Sequence, residues 1–371
     1  MIAVNSAWNI HNFRLGLISS LLKEGYEVVS AAPRDYCTKK IESCGCRFTE
    51  LPVDNDGTNI ARDFILFIHF LKLFLFERPH YFLSFTIKPN IYGSFAAHIL
   101  GINVINNVSG LGSVFIKKSL LTHFVCFLYK LAFSQSKCIF FQNLDDRLLF
   151  LEKQIVSSKY SLCLPGSGVD INKFTPLPFV KKRKFRFLMI SRLLWDKGVK
   201  EFVEATKLLK RRGFSIECSV LGFVDAKNPS AISTNYIKSW ISDGTLTSVH
   251  YKEDVRSEII EADCVVLPSY REGTPKSLLE AAAMGRPIIT TDTPGCRDVV
   301  DDGLNGFLCV LKDVGDLANK MEKMVLLGSA KRKKMGIEGR KKIEASYDEK
   351  IVFRKYKIFM NRIKFEFINN V

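Results

Sequence analysis

The sequence lacks several features that mark specialised protein classes. Its ten cysteines include no Cys-x2-Cys pair and are too sparse for a disulfide scaffold, so we interpret them as reduced, mostly buried thiols in a cytosolic protein. No secretory signal is visible, because Met1–Val4 leads into a polar stretch without a cationic segment. No apolar run reaches the roughly 20 residues that a membrane-spanning helix requires. The strongest run, 64–76, includes a histidine and a lysine, and we predict that it forms a buried helix.

Acidic residues are scarce relative to basic ones. The chain has 38 Asp and Glu against 54 Lys and Arg, which gives a formal net charge of +16. Residues 331–371 hold 13 basic and 5 acidic side chains, so half of the surplus lies in this last segment. A basic surface attracts the phosphates of nucleic acid, of anionic lipid or of a phosphorylated small molecule, and charge alone does not separate these partners.

Length and composition indicate two folded domains. A chain of 371 residues exceeds what one hydrophobic core usually supports, and 47% hydrophobic with 25% charged residues is typical of folded proteins. Short apolar runs alternate with helical patterns, which predicts βαβ units around parallel sheets. The predicted fold class is therefore α/β, with two doubly wound Rossmann-like domains facing each other across a cleft that holds the ligand.

A proline-rich stretch at 174–178 and the basic run at 181–184 mark the predicted linker. We therefore predict an N-terminal domain over 1–178 and a C-terminal domain over 179–345. The remaining segment, 346–371, is predicted to be a helix that packs back toward the N-terminal domain. Its apolar side chains recur mostly every three or four residues, as in a helix with one buried face: Phe353, Tyr356, Phe359, Ile363 and Phe367.

The segment 265–290 carries the strongest chemical signal. It reads as a strand, a loop and a helix, with Thr274 as the helix cap and Pro275 as the first helical residue. The free amides and the positive dipole end of such a helix, together with the ammonium of Lys276, favour an anion such as a diphosphate. We assign the anion site to the residues around this helix start: Gly273, Thr274, Pro275, Lys276 and Ser277.

Two carboxylates flank this predicted anion site. Glu272 precedes the helix, and Glu280 lies inside it. An acidic group beside a phosphate site is electrostatically costly unless it binds hydroxyl groups or developing positive charge. A nucleotide sugar meets both conditions, because its ribose and hexose hydroxyls flank the pyrophosphate and its anomeric carbon becomes cationic as the leaving group departs.

At these residues the sequence resembles the retaining glycosyltransferases of GT-B fold that are grouped as family 4 and use nucleotide-sugar donors. Their Glu-x7-Glu motif is present as Glu272 and Glu280. A second similar segment, 191–198, contains the arginine and the lysine that the family places against the donor diphosphate, here Arg192 and Lys197. Two more segments resemble the family, at 166–176 and 293–307.

The resemblance implies a role for each residue. Glu272 would contact the hexose hydroxyls and orient the donor, and Glu280 would hold the ribose hydroxyls. Retention in such enzymes is generally viewed as a front-face substitution, in which the departing phosphate receives the acceptor proton. Arg192, Lys197 and the amides after Gly273 would stabilise the leaving diphosphate in place of a metal ion, so no metal and no other cofactor is expected.

The amino-terminal half resembles the family less closely. Many members carry a Gly-Gly loop after the first strand, whereas this chain has Asn5-Ser-Ala-Trp-Asn-Ile-His-Asn-Phe-Arg14. This stretch and the segments 86–90, 108–113 and 141–146 look like the subset that acts on lipid-linked sugars in bacterial surface polysaccharide assembly. By that resemblance, contacts with the acceptor diphosphate are expected from Arg14, Lys88 and Asn90. Some members also use a histidine near the reacting centre, for which His11 is the nearest candidate.

The expected function is transfer of a hexose or N-acetylhexosamine from a UDP-sugar to a glycan linked to undecaprenyl diphosphate. The expected location is cytoplasmic and peripheral, on the inner face of a bacterial membrane. The segment 116–130 combines lysines with bulky apolar residues and is predicted to contact anionic lipid, with core packing as the alternative.

Two alternatives stay open. A sugar-nucleotide epimerase of the same architecture would act on the donor alone. A basic nucleic-acid-binding protein is more remote, because the sequence contains no known recognition motif. No nucleic-acid partner is therefore expected.

Overall fold

The computed structural model describes residues 1–54, 59–111, 120–178, 184–224, 228 and 230–364, with the backbone of 365–368. It divides into two compact units. The first comprises Met1–Ser167 and Glu349–Val371, and the second comprises Gly168–Asp348. Each unit is built around one parallel sheet with helices on both faces.

The first unit contains a seven-stranded sheet in the order β3-β2-β1-β4-β5-β6-β7, in which every pair is parallel. The order reverses between β1 and β4, as in doubly wound folds. Nearly all side chains of the central strands are buried, including those of Ser84, Asn106 and Asn107, because parallel strands are covered on both faces. The strands are β1 Ile2–Ala3, β2 Val29–Ala32, β3 Arg47–Glu50, β4 Tyr81–Phe85, β5 Asn103–Val108, β6 Cys138–Phe141 and β7 Ser161–Cys163.

Within the described residues, seven α-helices connect these strands. Polar side chains accept hydrogen bonds from the first amides of three of them, which fixes where those helices begin. A π-helical turn over Pro89–Gly93 leads into the fifth helix. The helices are α1 Ala7–Phe13, α2 Leu15–Lys23, α3 Thr38–Glu42, α4 Ile60–Glu77, α5 Ser94–Ile99, α6 Leu120–Phe133 and α7 Leu144–Glu152.

Helix α4 contains the apolar run at 64–76, and the prediction that it is buried holds for one face only. Leu66, Phe70 and Phe74 are packed in the core, whereas Phe64 is 62% exposed and Phe76 is 82% exposed. The run is apolar on all sides, but only one side of the helix has a sheet to cover it. Across the described residues, no helix has both the length and the hydropathy needed to cross a bilayer.

The carboxy-terminal helix α14, Glu349–Ile368, belongs to the first unit. Val352, Tyr356, Met360 and Ile363 recur at helical spacing and are buried in a cluster with residues of α1, α2 and the sheet. Hydrogen bonds also anchor the helix: the Tyr81 hydroxyl donates to the Met360 carbonyl at 3.0 Å, the Asn107 amide donates to the Tyr356 hydroxyl at 3.0 Å, and the Lys355 ammonium donates to the Cys163 carbonyl at 2.9 Å.

The second unit contains a six-stranded, all-parallel sheet in the order β10-β9-β8-β11-β12-β13. Here the order reverses between β8 and β11. The strands are β8 Phe185–Ile190, β9 Ile216–Leu221, β10 Ser248–His250, β11 Cys264–Leu267, β12 Ile288–Thr291 and β13 Gly306–Cys309. The helices are α8 Val199–Arg211, α9 Thr234–Ser242, α10 Arg256–Glu261, α11 Lys276–Ala283, α12 Val314–Leu326 and α13 Ser329–Ser346.

The division of the chain differs from the predicted boundary at 178. The second unit begins at Gly168, because Val169 and Phe174 pack into its core and the Val169 amide bonds the Tyr347 carbonyl at 2.9 Å. The proline-rich and basic residues that predicted a linker therefore lie in a segment that already belongs to the second unit. The predicted linker residues 181–183 lie outside the described residues.

Candidate functional site

The site in the second unit is built from loops that follow two neighbouring strands. Strands β8 and β11 are hydrogen-bonded, and the sheet order reverses between them. Two loops therefore follow their carboxyl ends side by side: 191–198 after β8 and 268–275 after β11. In open α/β sheets, ligands bind outside the carboxyl ends of the strands at this reversal. The two predicted donor-site segments lie in these loops.

Lys197 and Glu272 are brought together by the two loops. The Lys197 ammonium lies 2.6 Å from Glu272 Oε1, and both side chains are about one-sixth exposed, at 15% and 16%. Partial burial strengthens such a pair relative to one in open solvent. The site thus joins an acidic and a basic group, although they are 75 residues apart in the sequence.

A further pair of contacts holds the same two loops, and sequence reasoning missed it. The Tyr270 amide donates to the Asp196 carbonyl at 2.9 Å, and the Tyr270 hydroxyl donates to Glu201 Oε1 at 2.8 Å. Glu201 lies in the first turn of α8 and is only 7% exposed. No spacing rule links a tyrosine to a carboxylate 69 residues earlier, so the sequence carried no signal for this contact.

Two glycines allow the backbones around the site to approach closely. Gly198 has φ +76°, and a Cβ there would lie 2.0 Å from the Pro268 carbonyl oxygen. Gly295 has φ +78°, and a Cβ there would lie 2.2 Å from the Gly273 carbonyl oxygen. The Glu272 amide also donates to the Pro294 carbonyl at 3.2 Å, so the segment that begins at 293 supports the Glu272 loop.

The predicted anion-binding helix is α11, and its first turn differs from the prediction. Pro275 occupies the cap position with extended backbone, so the cap lies one residue later than the predicted Thr274, and Pro275 is not the first helical residue. Proline has no amide hydrogen, so the first amides that point out of the helix end are those of Lys276 and Ser277, as expected. This end carries the positive pole of the helix.

Glu280 lies one turn into α11 and is 9% exposed. Its Oε1 is 3.9 Å from the Lys276 ammonium. Burial raises the pKa of Glu280 above its ordinary value, and the nearby Lys276 opposes this shift only in part. A buried carboxylate with a weak ion pair is a strong acceptor for hydroxyl groups that replace lost water.

Arg192 is the second residue after β8 and is half-buried. The loop that carries it is held by the next strand connection, because the Leu193 amide donates to the Phe223 carbonyl at 3.1 Å. A Cβ on Gly222 would lie 1.8 Å from the Ser191 carbonyl oxygen, so the two loops touch. Arg192 and Lys197 thus belong to one short, well-supported loop.

Arg14 is the best-supported candidate in the first unit. It separates α1 from α2, is 4% exposed, and lies over the Phe85 ring with 4.0 Å between guanidinium carbon and ring centroid. Its Nη2 donates to Ser109 Oγ at 3.1 Å, while its Nε has no hydrogen-bond partner among the described residues. Burial lowers the pKa of Arg14 to about 10. A buried, partly unsatisfied cation therefore lies where β4 and β5 end.

The side chains of Lys88 and Asn90 form contacts within the first unit. The buried ammonium of Lys88 lies 2.6 Å from Asp63 Oδ1, so this cation is already neutralised. Asn90 is fully buried, accepts from the Ser84 hydroxyl at 2.6 Å and donates to the Asn107 carbonyl at 2.9 Å. These contacts lie within the first unit, and the predicted contact of the two side chains with an acceptor stays a prediction.

Two other predictions concern the first unit. His11 lies in the last turn of α1 and is half-buried, and its predicted role near the reacting centre stays a prediction. Of the predicted lipid-contacting segment, α6 covers 120–130, and residues 116–119 lie outside the described residues. Residues 112 and 113, which end another segment of the resemblance, also lie outside them.

Comparison with known proteins identifies the chain. Residues 172–342 match the family described as "Glycosyl transferases group 1". An N,N'-diacetylbacillosaminyl-diphospho-undecaprenol alpha-1,3-N-acetylgalactosaminyltransferase of Campylobacter jejuni is 28% identical over 96% of both chains. The capsular polysaccharide biosynthesis glycosyltransferase CapM of Staphylococcus aureus is 25% identical over 83% of this chain and 86% of its own length. The chain is a glycosyltransferase.

Solved structures agree on the fold of this glycosyltransferase. Anabaena Alr3699/HepE in complex with UDP and glucose superposes with a TM-score of 0.78 at 14% identity, covering 97% of this chain and 98% of that one. A glycosyltransferase from Rickettsia africae superposes with a TM-score of 0.76 at 16% identity, covering 98% of both. The predicted GT-B fold is confirmed.

Proposed function

We propose that the glycosyltransferase moves a hexose or N-acetylhexosamine from a UDP-sugar to a glycan linked to undecaprenyl diphosphate, with retention at the anomeric carbon. The observation that carries the proposal is the Lys197–Glu272 ion pair beside the start of α11. It joins cations and helix amides suited to a diphosphate with a carboxylate suited to sugar hydroxyls.

Each residue of the site has a role that follows from the chemistry of its side chain. Arg192, Lys197 and the first amides of α11 stabilise the charge that grows on the leaving diphosphate. Glu272 accepts hydrogen bonds from the transferred sugar, and Glu280 accepts them from the ribose. The departing phosphate oxygen takes the acceptor proton, so no side chain has to act as a base. These cations take the place that a metal ion holds in other transferases, and we propose that none is required.

The acceptor is inferred from the relatives. The Campylobacter relative and an Escherichia coli alpha-1,3-galactosyltransferase, 26% identical over 71% of this chain, both have names that specify a diphosphoundecaprenol-linked sugar. An acceptor of this class is anchored in a bilayer, which supports action at the inner face of the cytoplasmic membrane. The buried guanidinium of Arg14 supports a phosphate contact in the first unit.

A screen of radiolabelled UDP-sugars with bacterial membrane lipid extract tests the proposal. We expect label from one donor to enter the organic phase, with and without EDTA, and the glycosidic bond to keep the donor's anomeric configuration. Loss of transfer in EDTA would contradict metal independence alone. Conversion of the donor to another sugar nucleotide without any acceptor would instead favour the epimerase alternative.

A further inference from the structure

Three helices of the first unit line an open pocket that no part of the transfer site uses. The pocket has a volume of about 610 Å³ and lies between α4, α5 and α6. Its volume falls within the range of sites that bind small molecules, roughly 300–1,000 Å³. Its lining is mostly aromatic and aliphatic: Ile60, Phe64, Phe67, Tyr92, Phe95, Ile99 and Leu131, with Asp63, His98 and Gln135.

The charged and titratable groups of this lining are already engaged by the protein. Asp63 is paired with Lys88 at 2.6 Å and accepts from the Tyr92 hydroxyl at 3.0 Å. His98 Nε2 lies 2.8 Å from the Ala132 carbonyl oxygen, and burial lowers the pKa of His98, which favours its neutral form. The pocket therefore offers a ligand mainly apolar contacts, because its charged and titratable groups already have partners within the protein.

Large apolar side chains at the pocket mouth are exposed to an unusual degree. Ile60 is 77%, Phe64 62% and Ile99 66% exposed, and Leu131 is 46% exposed. Further exposed apolar residues lie on α6, including Phe124 and Phe127. Several exposed apolar side chains grouped around one pocket are typical of a surface that a ligand or partner covers.

The charges around the pocket favour a lipid over a second copy of the chain. Both carboxylates of α4 are held in ion pairs, Asp63 with Lys88 and Glu77 with Arg47. Lys72 on α4 and Lys130 on α6 are exposed. A second copy would bring together two chains of formal net charge +16, whereas a lipid with a phosphate head group is attracted.

We infer that the α4–α5–α6 pocket binds a segment of the isoprenoid chain of the lipid-linked acceptor. The inference rests on the proposed function. It assigns a binding site to the lipid part of the acceptor, which the transfer site does not bind. Lys88, which pairs with Asp63 of the lining, follows the carboxyl end of β4. Arg14 lies over the last residue of the same strand. The apolar chain can thus leave the pocket near the cation that suits its diphosphate.

Acceptors that differ only in their lipid test the inference. The same saccharide is supplied on undecaprenyl diphosphate and on hexyl diphosphate, in one detergent. For the wild type we expect the KM for the undecaprenyl acceptor to be lower by about tenfold or more, because apolar burial adds to binding in proportion to the area removed from water. Equal KM values for the wild type would overturn the inference.

Phe64→Asp and Ile99→Asp place a charge at the pocket mouth on exposed positions, so the fold should tolerate them. Each should raise the KM for the undecaprenyl acceptor by about tenfold and leave the KM for the hexyl acceptor unchanged. Leu148→Asp is the matched control, since Leu148 is 50% exposed on α7 of the same unit and does not line the pocket. A retained preference in both pocket variants would overturn the inference.

Two further measurements distinguish this inference from general membrane binding and from a failure of the proposed transfer reaction. Flotation with phosphatidylglycerol vesicles that contain no acceptor reports general bilayer contact. If the pocket variants lose flotation while the ratio of their KM values for the two acceptors equals that of the wild type, these residues form a membrane-binding surface and the inference is contradicted. Retention of tritiated undecaprenyl phosphate without donor reports binding even if no sugar is transferred. We expect the wild type and Leu148→Asp to retain it and Phe64→Asp to lose most of it; equal retention would contradict the inference.

Discussion

Lys197 and Glu272 form an ion pair of 2.6 Å between loops that leave neighbouring strands of the second unit. The pair aligns the loop that carries the cation with the loop that carries the carboxylate. Such alignment lowers the cost of arranging charged groups around a reacting centre. The predictions below follow from how this arrangement is supported.

Gly295→Ala should displace the Glu272 loop. The new Cβ would meet the Gly273 carbonyl oxygen at 2.2 Å, so the loop has to move. Gly303→Ala is the control, because Gly303 has nearly the same φ, +79° against +78°, but nothing within 4 Å of its Cβ position. Both variants carry backbone strain of about 1–2 kcal/mol, and only Gly295→Ala should lower kcat, by about a hundredfold. Equal kcat values in the two variants would show that this packing is not needed.

Glu280→Gln should stabilise the protein at neutral pH while weakening donor binding. Burial raises the pKa of Glu280 in the folded state, so its contribution to stability is present below the ordinary value of 4.5 and is lost as pH rises through the raised value. The glutamine variant avoids this loss. Its melting temperature should exceed that of the wild type at pH 7, and the difference should shrink toward pH 4.5.

In the same variant, the KM for the sugar nucleotide should rise by about tenfold, because a neutral amide accepts hydrogen bonds from ribose less strongly than a carboxylate does. An unchanged KM would remove Glu280 from the donor site. A lower melting temperature at pH 7 would contradict the raised pKa.

Arg14→Met should separate a ligand role from a structural one. Replacing a buried, partly unsatisfied cation by an apolar side chain of similar length is often neutral or stabilising, so the melting temperature should not fall. The kcat/KM for the lipid-linked acceptor should fall by tenfold to about a hundredfold. Isothermal titration should show unchanged affinity for UDP. A loss of folding with Arg14→Met would indicate that the guanidinium is structural.

The strands were predictable because their physical cause is local. Tyr81–Phe85 and Phe185–Ile190 are predominantly apolar runs bounded by polar or helix-breaking residues, a pattern that predicts buried strands, and both form strands in the structure. Strand β7, Ser161–Cys163, was not predicted, because three residues show no periodicity. The two donor-site loops were found through motifs that combine glycine, proline and charge over short spacings.

What the sequence could not provide depends on contacts between distant residues. Asn90 looked like a polar ligand contact, but only the fold reveals that Ser84 and Asn107 satisfy its amide in the core. The apolar run of α4 indicated a helix without indicating how many of its faces have neighbours. The Tyr270–Glu201 hydrogen bond likewise depends on tertiary packing that no pattern in the sequence encodes.

Turnover of Lys197→Ala and Glu272→Ala with the donor found in the screen tests the account most directly. Lys341→Ala serves as control, because Lys341 forms an exposed surface pair with Glu338 in the same unit. We predict that both site variants keep a cooperative melting transition and lose transfer by about a hundredfold to a thousandfold, while the control keeps wild-type turnover. Near-normal turnover in both folded site variants would contradict the assignment of the Lys197–Glu272 pair to the reacting centre.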